Sequence, residues 1–331
     1  MKYFFIKLLC FCAVSVSLAA QPSTQNGPLA RVAQPIATDL FVIKGPSGVG
    51  LIRLFEDFAA TPDFVFVPQA LAQADLVAAR FISGEAKAGI LPPNVAAKIA
   101  ASGKHIQVAA VVGTGMLSLL VGDPAIQRLE DLSGKTVEVA GQGSTPDYVF
   151  RKILLAKGMD PEQDVKLSYS LAAPEMAQSL IAGRVAVALL PEPFATMARA
   201  GKSDLRELCD IQTEWAALTG SANYPITVLV VDADFAAAQP QAITALLTAC
   251  KSSIEWVVSH ADEAGTLTEQ FELGLRAPVV RAAIPRSNYV FIPAQEARNS
   301  LENLFKAFLE FAPASIGGAL PADAFYYQVR Q

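Results

Sequence analysis

The sequence predicts an α/β protein made of two similar lobes, and three observations predict it. Apolar stretches of about five residues alternate with amphipathic stretches of about ten, the pattern of strands and helices in parallel sheets. The segment ISGEAKAGILP at 82–92 returns as IAGRVAVALLP at 181–191 without a gap. The 331-residue chain is also longer than one hydrophobic core usually supports, so its apolar residues are expected to divide between two.

At the start of the chain Lys2 and Lys7 flank an aromatic run, and residues 8–18 are almost wholly apolar. Ser17-Leu18-Ala19 then offers small residues at the positions a signal peptidase reads. Residues 1–19 therefore have the make-up of a secretory signal peptide, too short to span a bilayer comfortably. The polar segment 21–28 follows it. Cys10 follows Leu9 and Cys12 follows Phe11, whereas a lipid anchor calls for a small residue before its cysteine. The mature protein is expected to be exported, unlipidated, and to begin near Ala20.

Without its two leader lysines the chain keeps 24 basic against 31 acidic residues, a charge of −7. A moderately acidic protein with no basic run is a poor partner for nucleic acid or an anionic membrane. Cys209 and Cys250 remain, 41 positions apart. That spacing is neither a metal motif nor a disulfide framework, and it leaves a bridge between them open.

Each copy of the repeat has the same order: strand, glycine loop, helix, strand, helix, strand, proline loop. The glycine loops are GPSGVGLIRLF at 45–55 and GQGSTPDYVF at 141–150. The second helices lie at 75–81 and 175–180. Near-continuous apolar strands at 108–112, 117–121, 185–190 and 226–231 fit sheets covered on both faces. In such sheets the ligand crevice lies at the carboxyl ends of the strands, where these loops sit. The segment 117–121 leads out of the first half, and 223–225 leads into the strand at 226–231. A strand returning to the first lobe gives two crossings, near 120–124 and 222–226, and so a hinge. The expected lobes are 30–121 plus 225–331, and 122–224. After 231 the chain reads as helical, at 236–260, 261–273, 278–283 and 294–311.

The second glycine loop is not a nucleotide site. A dinucleotide fingerprint needs a third glycine where Pro146 stands, and no Gly-Lys-Ser/Thr triplet makes a P-loop. What remains is good helix-start chemistry. Ser144 or Thr145 suits the cap, Pro146 the first helical position, and Asp147 the first turn. Val149, Phe150, Ile153 and Leu154 form the packed face, and Gly158 ends the helix. Such a loop is either an ordinary capped helix or a clamp whose free N–H groups meet a polar ligand. Asp147 opposes a multiply charged anion there unless it points away. Glu192, between Pro191 and Pro193, is either an acceptor for a ligand N–H or a cap on the helix that starts near Phe194.

Catalytic constellations are scarce. His105 and His260 are the two histidines, and neither sits in a metal or nucleophile motif. No catalytic residue, metal site or cofactor is expected.

The leader, the GPSGVGL loop, GQGSTPDYVFRKILLAKGMDP and IAGRVAVALLPEPFATMA, in that order, resemble the substrate-binding proteins of ABC importers. The group in question handles nitrate, sulfonates, taurine and thiamine-precursor pyrimidines. The ending IGGALPADAFYY at 316–327 is similar to one branch of it. The resemblance implies the two-lobed periplasmic-binding-protein fold of type II, whose hinge has two crossing strands. It also implies a periplasmic monomer that delivers a small-molecule solute to a membrane permease and its ATPase. By the same resemblance the cleft is lined by Gly45, Ser47, Gly48, Pro92, Asn94, Gly113, Thr114, Gly143, Ser144, Thr145 and Glu192. The pyrimidine-synthesising relatives carry a cysteine cluster and an active-site histidine, which this chain lacks. An exported enzyme on the same scaffold, or a sensor subunit, is the alternative.

The candidate loops carry hydroxyls, one amide and one carboxylate, with Tyr148 and Phe194 nearby and Lys44 as the cation beside them. Arg286 and Asn288, in the segment IPRSNY, would add a guanidinium and an amide if that segment reaches the cleft. Nitrate or a sulfonate would call for more donors. A small neutral or zwitterionic organic solute with ring N–H groups, such as a pyrimidine-type vitamin precursor, is expected, with sulfonates as runner-up.

Overall fold

A computed structural model describes residues 34–328; the expected signal peptide, residues 1–19, lies outside them. The first copy of the repeat supplies β1 (Ile36–Ile43), β2 (Ala59–Ala60), β3 (Phe64–Leu71), helix Ala74–Ser83 and β4 (Ala88–Leu91). Then come β5 (Ile106–Thr114) and β6 (Leu117–Val121). The second copy supplies β7 (Thr136–Val139), helix Thr145–Ala156, β8 (Lys166–Ser168), helix Ala173–Ile181 and β9 (Val187–Pro191). It is followed by β10 (Arg206–Asp210) and β11 (Pro225–Asp232), and β12 (Tyr289–Pro293) lies among the C-terminal helices.

These strands form two sheets, ordered β12-β5-β11-β4-β1-β3-β2 and β10-β6-β9-β7-β8. Each copy of the repeat gives a parallel trio, β3-β1-β4 in one sheet and β8-β7-β9 in the other. Beside each trio runs an antiparallel strand from elsewhere in the chain: β11 against β4, and β6 against β9. β5 and β10 complete the two sets, pairing with β11 and β6. The same five-strand order therefore occurs twice. Consecutive strands β5 and β6 lie in different sheets, and so do β10 and β11.

This pairing moves one expected boundary. The strand at 117–121, placed by sequence at the exit of the first lobe, belongs wholly to the five-stranded sheet. The first crossing is therefore Gly115-Met116, not 120–124. An apolar strand buried on both faces reads the same in either sheet. The deciding feature is a turn with positive φ at both Gly115 (55°) and Met116 (76°), which redirects the chain.

Other differences have equally local causes. The helix expected over 236–260 is two, Ala233–Ala238 and Pro240–Ser259, because Pro240 cannot continue a helix and instead starts one. The stretch after 231 is not all helical, since β12 pairs with β5. In the first glycine loop the helix is short, Pro46–Gly50, followed by a 3-10 turn at Ile52–Phe55. Its glycines allow close packing: a Cβ on Gly48 would lie 3.2 Å from the Ile43 carbonyl oxygen, and one on Gly50 3.0 Å from the Tyr289 ring. The second glycine loop opens a full helix, Thr145–Ala156. Val149, Phe150, Ile153 and Leu154 are buried as their spacing predicts, and Gly158 adopts the left-handed turn just beyond.

No helix among the described residues is long and apolar enough to cross a membrane. Cys209 and Cys250 are both free. Burial pushes each thiol up to about 12, so both stay protonated at neutral pH.

Every residue of β6 is buried, and it lies inside its sheet between β9 and β10. Four of the five are apolar, each worth about 1.5–3 kcal/mol when fully buried. Their sum, about 6–12 kcal/mol, rivals the whole stability of a domain. A fragment spanning 116–224 is expected to unfold cooperatively in urea, followed by circular dichroism. A fragment spanning 122–224, without β6, should show no such transition, and equal transitions for the two would contradict the topology.

Candidate functional site

The carboxyl ends of the two parallel trios face each other, and the recurring loops meet between them. Asn94, from the proline loop after β4, is 1% exposed. Its Nδ2 donates to the Gly143 carbonyl at 2.8 Å, and its Oδ1 accepts from Thr145 Oγ1 at 2.9 Å. On the other side Gly45 approaches Phe194, which follows the proline loop after β9. A Cβ on Gly45 would sit 2.9 Å from that ring, and φ at Gly45 is 123°, so the contact needs glycine twice over. Each glycine loop thus rests on the opposite proline loop.

Most polar groups in these loops are already engaged. Ser47 Oγ donates to the Ile43 carbonyl and accepts the Ile43 N–H, both at 3.0 Å. Gly48 packs against the same carbonyl. Pro92 stands at the N-cap position of helix Pro93–Ala101 without a side-chain cap. Ser144 stands at the cap of its helix, but its hydroxyl turns back to the Gly141 carbonyl rather than capping.

Asp147 answers the question of an anion at this helix start. Its Oδ2 accepts the Gly143 N–H at 2.8 Å, while Oδ1 accepts from Arg151 Nε at 2.7 Å and Tyr169 Oη at 2.8 Å. The chain's own buried carboxylate fills the place an anionic ligand would take. Burial raises the Tyr169 hydroxyl, and the Asp147 charge raises it further. At Arg151 burial acts to lower the pKa, but the bond and charge of Asp147 outweigh it and hold the group above its ordinary value.

The open space lies next to the first crossing. A cavity of about 220 Å³ is walled by Met116, Ser118, Glu192, Glu207, Asp210 and Gln212 on the side of the five-stranded sheet. Arg286 and Asn288 close it from the side of β12. Thr114 and Gly113 sit behind, at the end of β5. The Thr114 N–H donates to the Asn288 carbonyl at 3.2 Å, its Oγ1 accepts from Asn223 Nδ2 at 3.2 Å, and a Cβ on Gly113 would meet Thr227 Oγ1 at 2.6 Å. The two crossings are bonded to each other where the Gly115 N–H donates to the Tyr224 carbonyl at 2.9 Å.

The cavity is charged. Glu192, 1% exposed, caps helix Phe194–Gly201 by accepting the Thr196 N–H at 2.9 Å through Oε2. Its Oε1 accepts from Arg199 and, at 3.2 Å, from Arg286 Nε. Glu207 Oε2 receives Arg286 Nη2 at 3.1 Å, with Arg199 Nη1 3.6 Å away. Asp210 caps helix Ile211–Thr219 through the N–H groups of Gln212 and Thr213. Three carboxylates thus meet two guanidinium groups.

Of the expected site residues, Glu192 and Asn288 line this cavity, and Asn94, Thr145, Gly143 and Gly45 hold the loops around it. Met116, Ser118, Glu207, Asp210 and Gln212 were missed. Their signal was the symmetry of the repeat: β10 stands in the second sheet where β5 stands in the first, so its end also borders the cleft. The histidines lie elsewhere: His105 is exposed beside Asp234, and His260 stacks on Trp256. A larger cavity, about 760 Å³, lies at the opposite end of β5. Its Arg298 and Asp323 are paired with each other, and nothing from the five-stranded sheet lines it.

A family model described as NMT1-like matches residues 86–268, more than half the chain and the whole of the five-stranded sheet. The chain belongs to the NMT1-like family. No curated protein matches it. This NMT1-like chain is similar in structure to an ABC transporter protein from Parabacteroides distasonis, with a TM-score of 0.73 and 23% identity over 89% of this chain and 99% of that one. It is also similar to the periplasmic aliphatic sulphonate binding protein of Escherichia coli, with a TM-score of 0.68 and 17% identity over 90% and 94%. A third neighbour is the periplasmic nitrate-binding protein of Synechocystis PCC 6803, with a TM-score of 0.60 and 15% identity over 74% and 69%. At these identities the likeness fixes the fold, that of two-lobed periplasmic binding proteins, as the resemblance in sequence implied. The last two are binding proteins by name and not enzymes.

Asp147→Asn leaves Arg151 half-satisfied and turns an amide toward the Gly143 N–H. The expected loss is about 2–3 kcal/mol of stability in urea unfolding, below the full cost of breaking a buried pair because Glu162 still holds Arg151. A change under about 0.5 kcal/mol would show that the carboxylate is not the anchor of this loop.

Proposed function

We propose that this NMT1-like protein is the solute-binding component of an ABC importer, handing a small organic solute to a membrane permease driven by an ATPase. The reading includes export to the periplasm, where the neighbouring sulphonate- and nitrate-binding proteins are found by name. One observation carries it: a polar cavity at the crossing strands, walled from both sheets and holding no reactive pair of nucleophile and base. Such a place between two sheets linked by two short crossings suits capture by closure rather than chemistry.

The same cavity supports a neutral or zwitterionic solute with N–H donors over a sulfonate or nitrate. Its two guanidinium groups are already paired with Glu192 and Glu207. An anion placed there would have to draw one of them away from Glu192 and Glu207, leaving two carboxylates, one of them buried, to share a single cation. The N–H at the Gly143 loop, the other natural anion site, is taken by Asp147. Ring N–H and amino groups, by contrast, find acceptors in the second carboxylate oxygens of Glu207 and Asp210, while Ser118 and Gln212 already accept from Arg199 and Tyr224. A pyrimidine-type precursor is one solute with this chemistry.

Isothermal calorimetry with aminopyrimidines, taurine, methanesulfonate and nitrate tests the class. An aminopyrimidine or other N–H donor is expected to bind. Glu207→Gln should then weaken it by about 1.5–3 kcal/mol, the worth of a hydrogen bond to a charged group. Tight binding of nitrate or methanesulfonate that survives Glu207→Gln would contradict the proposal.

A further inference from the structure

The side chain of Arg286 is half-exposed, 50%, yet its guanidinium ends on Glu192 Oε1 and Glu207 Oε2 inside the cavity. Those two carboxylates belong to the five-stranded sheet's side, at the end of β9 and in β10. Arg286 comes from the other side, in the 3-10 turn Ile284–Arg286 just before β12. The next-but-one residue, Asn288, holds a positive φ of 43°, an uncommon state for a residue with a side chain, and it also lines the cavity. Arg199 touches the same two carboxylates but rises from helix Phe194–Gly201 beside them and does not line the cavity. Arg286 spans the space.

The geometry points to Arg286 as a built-in occupant of the solute site, which fills the Glu192–Glu207 subsite with a planar cation and which the true solute displaces. The inference rests on the reading of this cavity as the solute site, and within the zwitterionic class it narrows the solute to one whose cationic part is a planar N–H group, such as an amidine, a guanidine or a protonated aminopyridine-like face. The argument is one of charge and shape. With Arg286 in place, Glu192 and Glu207 face two guanidinium groups and their charges are balanced, while Asp210 is held by its helix cap. If Arg286 swings out, Glu192 and Glu207 face Arg199 alone, and Glu192 is nearly fully buried. A buried excess carboxylate demands a cation, and only another flat fork of N–H donors reproduces the contacts that Arg286 makes at 3.2 and 3.1 Å. The exposure of the Arg286 stem gives it somewhere to go. Its departure also enlarges a cavity that at about 220 Å³ falls below the range of most small-molecule sites, roughly 300–1,000 Å³.

The test uses the exported protein and methylguanidinium at millimolar concentration, with methanesulfonate as the anionic control, in isothermal calorimetry. Arg286→Ala is expected to bind methylguanidinium at least tenfold tighter than the unaltered protein, with no gain for methanesulfonate. Adding Glu207→Gln to Arg286→Ala should erase the gain. Arg286→Gln, which keeps the stem, serves as the test if Arg286→Ala does not fold. Equal affinity for methylguanidinium with and without Arg286 would overturn the inference, and so would a gain for methanesulfonate. Absence of the gain while an aminopyrimidine still binds would sink this inference alone. A clear gain while no solute of the panel binds would sink the transport reading and leave the subsite standing.

Discussion

The structure depends on an exchange of strands. Each parallel trio is completed by an antiparallel strand reached across a crossing, β11 beside β4 and β6 beside β9. Both exchanged strands are interior to their sheets and largely buried, so neither lobe can be complete without the chain passing over twice. This fixes the distance between the lobes at two short segments, bonded to each other at Gly115 and Tyr224. It also brings the ends of β6, β9 and β10 against the turn before β12, and that is where the polar cavity lies.

Around this frame the loops do two different things. The glycine and proline loops of opposite lobes lock onto each other through Asn94, Thr145, Gly143, Gly45 and Phe194, and their own hydroxyls and carboxylates are spent on local bonds. The ionic groups beside the crossings line the polar cavity instead. Arg286 is half-exposed, and it joins the two sides through contacts that a solvent path can reach. Bonds across the cleft at its rim, with a charged centre, suit a protein that must recognise one solute and still let it go.

Much of the fold was legible in the sequence because it is written twice. The 82–92 and 181–191 segments and the two glycine loops set the order of the trios and placed them at a common cleft. Single apolar strands carried less. The run at 117–121 could not say which sheet it joined, since a strand buried on both faces looks alike in each, and its assignment turned on the backbone of Gly115 and Met116. β10 escaped because RELCD is of mixed polarity, and β12 because YVFIP is a short apolar run set between helical stretches. Pro240, which divides a long helical pattern in two, was a signal present and unread.

The site was legible in outline and less so in chemistry. Of the residues expected at the cleft, Glu192 and Asn288 wall the polar cavity, but sequence could not show that Asp147 closes on Gly143 or that Ser47 and Ser144 turn to their own backbone. Glu192 offered two readings, cap and acceptor, and it serves as a cap with cations besides. Glu207 and Asp210 carried no motif at all; pairing between strands brought them in.

Hydrogen exchange of the intact protein, resolved by segment, tests the central claim most directly. If the exchanged strands complete both sheets, amides of β6 and β11 open only with global unfolding and are among the slowest in the chain. The bridging segments 141–145 and 191–195 should exchange far sooner, through opening of the cleft. Fast exchange in β6 and β11, on a par with those loops, would contradict the account.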